Sequence, residues 1–168
     1  MDVLNAIKTR RSIRKYLPKP VEDEKLNLVL EAARLSPSAR NDQNWHFIVV
    51  RDAQKKDLLF EASFEQPWVK EAPCAIVACA TDNRFMDCGQ PTDTVNLSIA
   101  MSYMILEAHE LGLGTCWLGH FKADKVKEAL DIPENVTVIG FTPLGYPAEN
   151  PEPRPRKALS DIVSYDKY

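Results

Sequence analysis

The most continuous hydrophobic pattern along the chain runs from Pro91 to Leu111, where apolar residues cover most of a helical circumference. This pattern predicts a helix buried on nearly all sides, at the centre of the core. Shorter helical patterns predict four further helices. They span Asp2–Lys8, Glu22–Ser36, Gln54–Ala62 and Ala123–Leu130.

Four short apolar or β-branched runs predict strands. The run WHFIVVR at Trp45–Arg51 is suited to a central strand, and Cys74–Ala80 to a second buried strand. The sequence GTCWLG at Gly114–Gly119 predicts a third strand, and Val136–Tyr146 a fourth that a glycine and a proline interrupt. The order of elements therefore predicts a mixed α and β fold.

The segment after Tyr146 carries four prolines in nine residues, which favours an extended arm over packed structure. This arm, residues 147–168, returns to apolar residues at Leu159, Ile162 and Val163. We therefore expect it to dock on another surface, such as that of a second subunit. A length of 168 residues, 45% of them hydrophobic, predicts a single domain over 1–168.

Charge and composition indicate which partners the protein does not attract and in which compartment it is expected. The net charge of −3, from 21 basic and 24 acidic residues, gives no general attraction to nucleic acid or to an anionic membrane. The longest uncharged apolar stretch, 94–106, is too short to span a bilayer, and the N-terminus does not resemble a signal peptide. The four cysteines form no CxxC pair, so we expect reduced thiols, no metal and a cytoplasmic location.

Hydrolytic and dinucleotide motifs are missing from the sequence, while cationic residues are clustered at its two ends. There is no GxSxG or HExxH, and Trp117 replaces the third glycine of a dinucleotide fingerprint. Arg10, Arg11 and Arg14 lie near one end, and arginines with a lysine lie in the arm. Guanidinium groups bind phosphate through paired hydrogen bonds, so convergence of the clusters would create a local anion site.

Four segments in this order resemble the nitroreductase family of FMN-dependent oxidoreductases: RRSIRKY, SPSARNDQNWHFIVV, ELGLGTCWLG and GYPAENPEPRPRK. The resemblance covers nearly the whole chain. It implies an α+β fold, a three-layer α/β/α sandwich with a mixed, mainly antiparallel sheet. It also implies a domain-swapped homodimer with exchanged terminal segments and two FMN sites at the subunit interface.

The resemblance further implies which residues bind FMN. Arg10 and Ser12 match positions toward the phosphate and ribityl chain, and Arg14 a position beside the pyrimidine edge of the ring. The set is completed by four further features. They are a loop that reaches the ring from the partner subunit, the turn near the hydride-accepting nitrogen, an amide beside the ring, and basic residues over the phosphate. The full set is Arg10, Arg11, Ser12, Arg14, Pro37, Ser38, Ala39, Asn41, Gln43, Gln66, Leu118, Gly119, Arg154 and Arg156.

The implied activity is that of an FMN-dependent NAD(P)H oxidoreductase with a ping-pong cycle. NADH or NADPH reduces the flavin and leaves, and a nitro compound, quinone or related electrophile takes the electrons. No catalytic side chain is expected, because the flavin carries the chemistry and Arg14 tunes it. Two alternatives stay open: an FMN store or redox sensor with little turnover, and a specialised relative that acts on one dedicated metabolite.

Overall fold

The structure is a computed structural model that describes residues 2–168. Helices and strands alternate along most of the chain, as the hydrophobic pattern predicts. The helices are α1 (Val3–Thr9), α2 (Asp23–Arg34), α3 (Ala53–Ala62), α4 (Pro67–Glu71), α5 (Thr92–Glu110) and α6 (Ala123–Leu130). The strands are β1 (Trp45–Val50), β2 (Cys74–Ala80), β3 (Gly114–Thr115) and β4 (Thr137–Gly145), and short 3-10 turns span Ala39–Asn41 and Leu159–Asp161.

The four strands form one sheet in the order β1-β2-β4-β3, and each neighbouring pair is antiparallel. A parallel bridge from Ser12 to Thr115 adds a mixed element. The prediction that Trp45–Arg51 forms a central strand is wrong, because β1 lies at the edge of this sheet. Both faces of β1 are nevertheless partly covered by the two core clusters, which explains why every residue of the strand except His46 is apolar.

Helices cover both faces of the sheet. The buried strand β2 divides its side chains between them, with Ile76 and Ala78 on one face and Ala75 and Val77 on the other. Helices α2 and α5 pack on the first face, and α3, α4 and α6 on the second. This arrangement confirms the predicted three-layer α/β/α sandwich with a mainly antiparallel sheet.

The long helix α5 lies at the centre of the core, as predicted, and its end positions the next strand. Gly112 follows the helix with φ 75°, a left-handed conformation that glycine adopts without strain. A Cβ atom at Gly114 would lie 2.7 Å from Cγ1 of Ile13. The third strand is shorter than predicted, covering Gly114–Thr115. The lack of a side chain at Gly114 allows Ile13 of the N-terminal segment to approach it closely.

Helix α4 and the two 3-10 turns do not appear in the sequence prediction. The pairing of residues 12–17 does not appear either, because the sequence presents this segment only as a charged run. Ile13 donates its backbone N–H to Thr115 at 2.9 Å, and Leu17 donates to Tyr146, also at 2.9 Å. Residues 12–17 therefore form an extended segment between β3 and the start of the arm.

Candidate functional site

The extended N-terminal segment turns apolar and cationic side chains in different directions. Ile13 and Tyr16 are buried in a small cluster against Ala72, and the Tyr16 hydroxyl donates to the Ile13 carbonyl at 2.8 Å. Burial raises the pKa of Tyr16 well above its ordinary value, so it remains a neutral donor. Arg14 is exposed between these two anchors. The buried residues thus fix the backbone from which the cationic side chains project.

The two cationic ends of the chain meet at one groove of about 520 Å³. One wall comes from the end of α1 and the residues that follow it, and the other from the arm. Among the predicted site residues, the structure brings together Arg10, Arg11, Ser12, Arg14, Arg154 and Arg156. The convergence of the two clusters is therefore present within a single chain.

A second cleft of about 450 Å³ adjoins this groove and shares Ile7, Arg10, Ser12 and Arg156 with it. Its other wall is the middle of α5 and the end of β3, with Trp117 beside them. Cationic residues therefore border a cleft whose other wall carries the apolar side chains of Ile105, Leu106 and Trp117 beside the hydroxyls of Ser102 and Thr115. A ligand with a phosphate and a flat ring matches that division of charge and apolar surface.

The arginines of the groove differ in the contacts they make. Arg11 donates from Nη1 to the carbonyls of Lys8 and Arg10, both at 2.9 Å, so it caps the end of α1. Within residues 2–168, no carboxylate lies within ion-pair distance of Arg10, Arg154 or Arg156. Glu152 is the one carboxylate among the described residues that line the groove. The groove consequently keeps cationic donors for an anionic ligand.

Arg14 is held at both its backbone and its side chain. Its backbone N–H donates to a carboxylate oxygen of Glu149 at 2.5 Å. Its guanidinium carbon lies 5.7 Å from the ring centroid of Trp68, the second residue of α4. A guanidinium at this distance from an indole is within the range of a cation–π contact.

His109 lies behind the arginines, near the end of α5. Its Nε2 is 2.8 Å from the Thr9 hydroxyl, which joins α5 to the last residue of α1. Burial lowers the pKa of His109, and the positive charge of Arg10 lowers it further. The imidazole is therefore neutral at neutral pH and adds no charge to the groove.

The predicted turn Leu118–Gly119 and the predicted amide Gln66 lie together beside α4. Leu118 exchanges backbone hydrogen bonds with Phe141 and buries its side chain in the core. Gln66 donates from Nε2 to the carbonyls of Ser63 at 2.9 Å and His120 at 3.3 Å. The amide therefore joins the start of α4 to the residue after Gly119.

The predicted loop residues Pro37, Ser38, Ala39, Asn41 and Gln43 lie away from the groove. None of them lines the groove or the adjoining cleft. The Ala39 N–H donates to the side chain of Asn96, near the start of α5, whereas Ile105 of the same helix lines the cleft. Nine helical positions correspond to about 14 Å. One chain therefore does not bring this loop to its own arginines.

Sequence reasoning missed two residues that hold Arg14, Trp68 and Glu149. Trp68 belongs to the helix that was not predicted. Glu149 lies between Pro147 and Pro151 of the arm, where a single carboxylate gives no signal in the sequence. The described residues contain no group of His, Cys, Asp or Glu that could hold a metal ion, and all four cysteines are free. No helix within 2–168 is long and apolar enough to cross a membrane.

Comparison with known proteins adds independent information on this arrangement. The model of the nitroreductase family matches residues 7–91 and 64–146. A protein of Methanothermobacter thermautotrophicus, provisionally described as an NADH dehydrogenase/NAD(P)H nitroreductase, is 40% identical over 165 residues, which cover 92% of this chain and 82% of that protein.

Two further similarities concern flavin. An FMN reductase [NAD(P)H] of Bacillus subtilis is 29% identical over 185 residues, which cover 99% of this chain and 74% of that protein. The solved structure of an FMN-dependent nitroreductase from Clostridium difficile R20291 superposes with a TM-score of 0.82 at 32% identity. It covers 99% of this chain and 100% of that one.

Proposed function

The chain belongs to the nitroreductase family, and we propose that it is an FMN-dependent NAD(P)H oxidoreductase that reduces nitro compounds, quinones or related electrophiles. Relatives named as an FMN reductase and as an NADPH-flavin oxidoreductase support this activity. A relative named as an oxygen-insensitive NADPH nitroreductase supports the class of acceptor.

The observation that carries the proposal is the groove where Arg10 meets Arg154 and Arg156. On a chain of net charge −3, these side chains form a local cationic site between segments from opposite ends of the sequence. A phosphate carries two charges and several acceptor oxygens, and guanidinium groups match both. The donors present therefore fit the phosphate of FMN.

Ser12, Arg14, Trp68 and Glu149, which lie on the same chain as the groove, have separate roles. When bound, FMN supplies the redox chemistry, taking two electrons from NADH or NADPH and delivering them to the acceptor. By the resemblance, Ser12 would supply a hydroxyl to the ribityl chain, and Arg14 would place a positive charge beside the pyrimidine edge of the ring. The indole of Trp68 and the carboxylate of Glu149 hold Arg14 in that place.

We assign the second half of the site to a second copy of the chain. The loop at 37–43 lies too far from the groove of its own chain, so its contact with a flavin requires a partner. Apolar residues exposed in the single chain support a homodimer, because a monomer gains nothing from leaving them in water. They lie on α1 and on the arm: Val3, Leu4, Ile7, Leu159, Ile162 and Tyr165.

Cofactor analysis followed by anaerobic stopped-flow reduction tests the proposal. The purified protein should be yellow and release FMN, and NADH or NADPH should bleach the flavin at a rate that supports turnover. A quinone and a nitroaromatic should each restore the oxidised spectrum. Release of FAD, or no flavin after reconstitution, overturns the cofactor assignment. Tightly bound FMN that neither nicotinamide reduces would instead identify a flavin store or sensor.

A further inference from the structure

The loop at 37–43 has a backbone conformation that needs external support. Arg40, Asn41 and Gln43 have positive φ angles of 53°, 58° and 48°. Side-chain-bearing residues adopt this left-handed region at a cost, and such residues persist where surrounding contacts hold them. Three of them within four positions make this loop one of the most strained parts of the backbone.

Contacts inside the loop and from α5 hold its two ends. The Ser38 hydroxyl accepts the Gln43 N–H at 3.1 Å. Asn96, which is fully buried, accepts the Ala39 N–H at 3.0 Å and donates to the side chain of Asn44 at 2.8 Å. These bonds fix where the loop starts and finishes, but they do not reach the side chain of Asp42 in its middle.

Arg84 makes that remaining contact from a different segment. Its Nη2 lies 2.8 Å from Oδ2 of Asp42, and its Nε contacts the carboxylate of Asp82. The side chain of Asp42 is only 15% exposed, so this ion pair is shielded on one side. A partly shielded pair is screened less by water and salt than a pair on an open surface.

The backbone of Arg84 is itself anchored to the start of α5. Its carbonyl accepts both the N–H and the hydroxyl of Thr92, each at 2.8 Å. Phe85 forms a bridge with Pro91, which closes the segment into a short hairpin. The guanidinium therefore extends from a fixed point to Asp42, and the ion pair ties the strained loop to the central helix.

We propose that Arg84 is a positioning residue of the flavin site: through Asp42 it holds the loop at 37–43 in the conformation that presents Asn41 and Gln43 to the flavin. This inference rests on the proposed function, because it requires the loop to contact FMN. Arg84 lines neither the groove nor the adjoining cleft. FMN affinity thus depends on how fully the loop occupies its binding conformation.

Titration of the apoprotein with FMN tests this role through Arg84→Gln, Asp42→Asn and the double variant. If loss of the pair leaves the loop in its binding conformation about a tenth of the time, the dissociation constant rises about tenfold. Each single variant should show this rise, and the double variant should show no further rise, because Arg84 acts on the loop through Asp42 and not through its second contact, Asp82. Arg84→Lys should recover part of the affinity.

Arg34→Gln serves as the matched control. Arg34 forms a two-bond pair with Glu31 on α2 and is about as exposed as Arg84, with side chains 62% and 54% exposed. Its loss should leave the FMN dissociation constant unchanged. The upward shift of the melting temperature caused by FMN should shrink for the Arg84 and Asp42 variants but not for Arg34→Gln. The melting temperature of the apoprotein should fall only slightly in the Arg84 and Asp42 variants, because the ion pair also stabilises the loop of the free protein.

The outcomes separate this inference from the proposed function. If the wild type binds FMN and Arg84→Gln binds it equally well, the positioning role is wrong and the proposed function stands. Additive effects of the two single changes, or an FMN-induced shift of the melting temperature as large as that of the wild type, also overturn the role. If the wild type binds no FMN, both the proposed function and this inference fail.

Discussion

The guanidinium of Arg14 lies over the indole of Trp68, with 5.7 Å between the guanidinium carbon and the ring centroid. The backbone of Arg14 is also fixed, because its N–H donates to a carboxylate oxygen of Glu149 at 2.5 Å. An exposed arginine is normally free to move among rotamers, and its charge is then spread over a wide volume. Here the indole limits that motion, so the charge acts at a defined point.

We expect Arg14→Gln to lower the two-electron potential of bound FMN and to slow its reduction by NAD(P)H. The fixed positive charge stabilises the reduced ring, which carries negative charge near its pyrimidine edge, more than it stabilises the neutral oxidised ring. Glutamine keeps much of the bulk and deletes the charge. The potential is measured against reference dyes, and the reduction rate by anaerobic stopped flow.

Lys15→Gln is the control for the Arg14 variant, because it removes a neighbouring exposed charge that contacts neither Trp68 nor Glu149. It should leave the potential close to that of the wild type. The effect of Arg14→Gln on oxidised FMN binding should be smaller than its effect on reduction. The reverse order, weaker binding with an unchanged reduction rate, contradicts the assigned role and favours a flavin store.

Arg10→Ala should weaken FMN binding by about 1.5 to 3 kcal/mol, the usual range for a hydrogen bond to a charged group. Arg10 borders both the groove and the adjoining cleft and has no carboxylate partner in the described chain, so its donors are free for the phosphate. The binding constant is measured by quenching of flavin fluorescence. Arg34→Ala is the control, and equal affinity of the Arg10 variant and this control removes Arg10 from the site.

The sequence predicted correctly the bounds of elements that are buried along their whole length or along one continuous face. The bounds of β2 and α6 agree with the structure, because every residue of β2 is buried and α6 buries one face around Val126 and Ala129. The position of β1 at the edge was not predictable in the same way. Its apolar residues pack on both helical layers, so the sequence of an edge strand here resembles that of a central one.

The parts of the site that sequence reasoning missed depend on contacts between distant segments. Helix α4 is only five residues long, and a proline begins it. The N-terminal segment pairs with Thr115 and Tyr146, more than 100 positions away, and nothing local in RRSIRKY indicates that pairing. The resemblance identified the arginines, but only the folded chain places Trp68 and Glu149 against one of them.

Deletion of Pro151–Tyr168 should abolish both dimer formation and flavin binding. The deleted arm carries two arginines of the groove and the exposed apolar residues that we assign to the subunit interface. Its side chains contribute nothing to the buried core clusters, so the remaining chain should stay folded. Sedimentation measures the oligomeric state, and circular dichroism checks the fold.

A second arm variant separates the contribution of the arm to the subunit interface from its contribution of arginines to the groove. Leu159→Ser with Ile162→Ser keeps Arg154 and Arg156 but removes apolar surface from the arm. It should weaken the dimer and, because the site is shared, lower flavin content with it. A stable monomer that retains a full complement of FMN would refute the shared site.

The four cysteines should differ sharply in reactivity at pH 8. Burial raises the pKa of the Cys74 and Cys79 thiols to about 11, and burial also raises the pKa of Cys116. These thiols are therefore neutral and shielded at pH 8, whereas Cys88 is exposed. Because the thiolate is the nucleophile, iodoacetamide should modify only Cys88 in the native protein, and Cys88→Ser should remove that reaction.

The same pKa shifts predict how stability changes at high pH. A thiol whose pKa is higher in the folded than in the unfolded protein stabilises the folded state at any pH where it is protonated in both states. This stabilisation is lost as the pH rises from the unfolded pKa to the folded one. The stabilisation from Cys74 and Cys79 is thus present below pH 9 and is lost as the pH rises toward 11. Urea denaturation between pH 8 and 11 should show a falling midpoint that Cys74→Ala with Cys79→Ala flattens. An equally steep fall in that double variant, or rapid alkylation of Cys116 at pH 8, contradicts the buried state of these thiols.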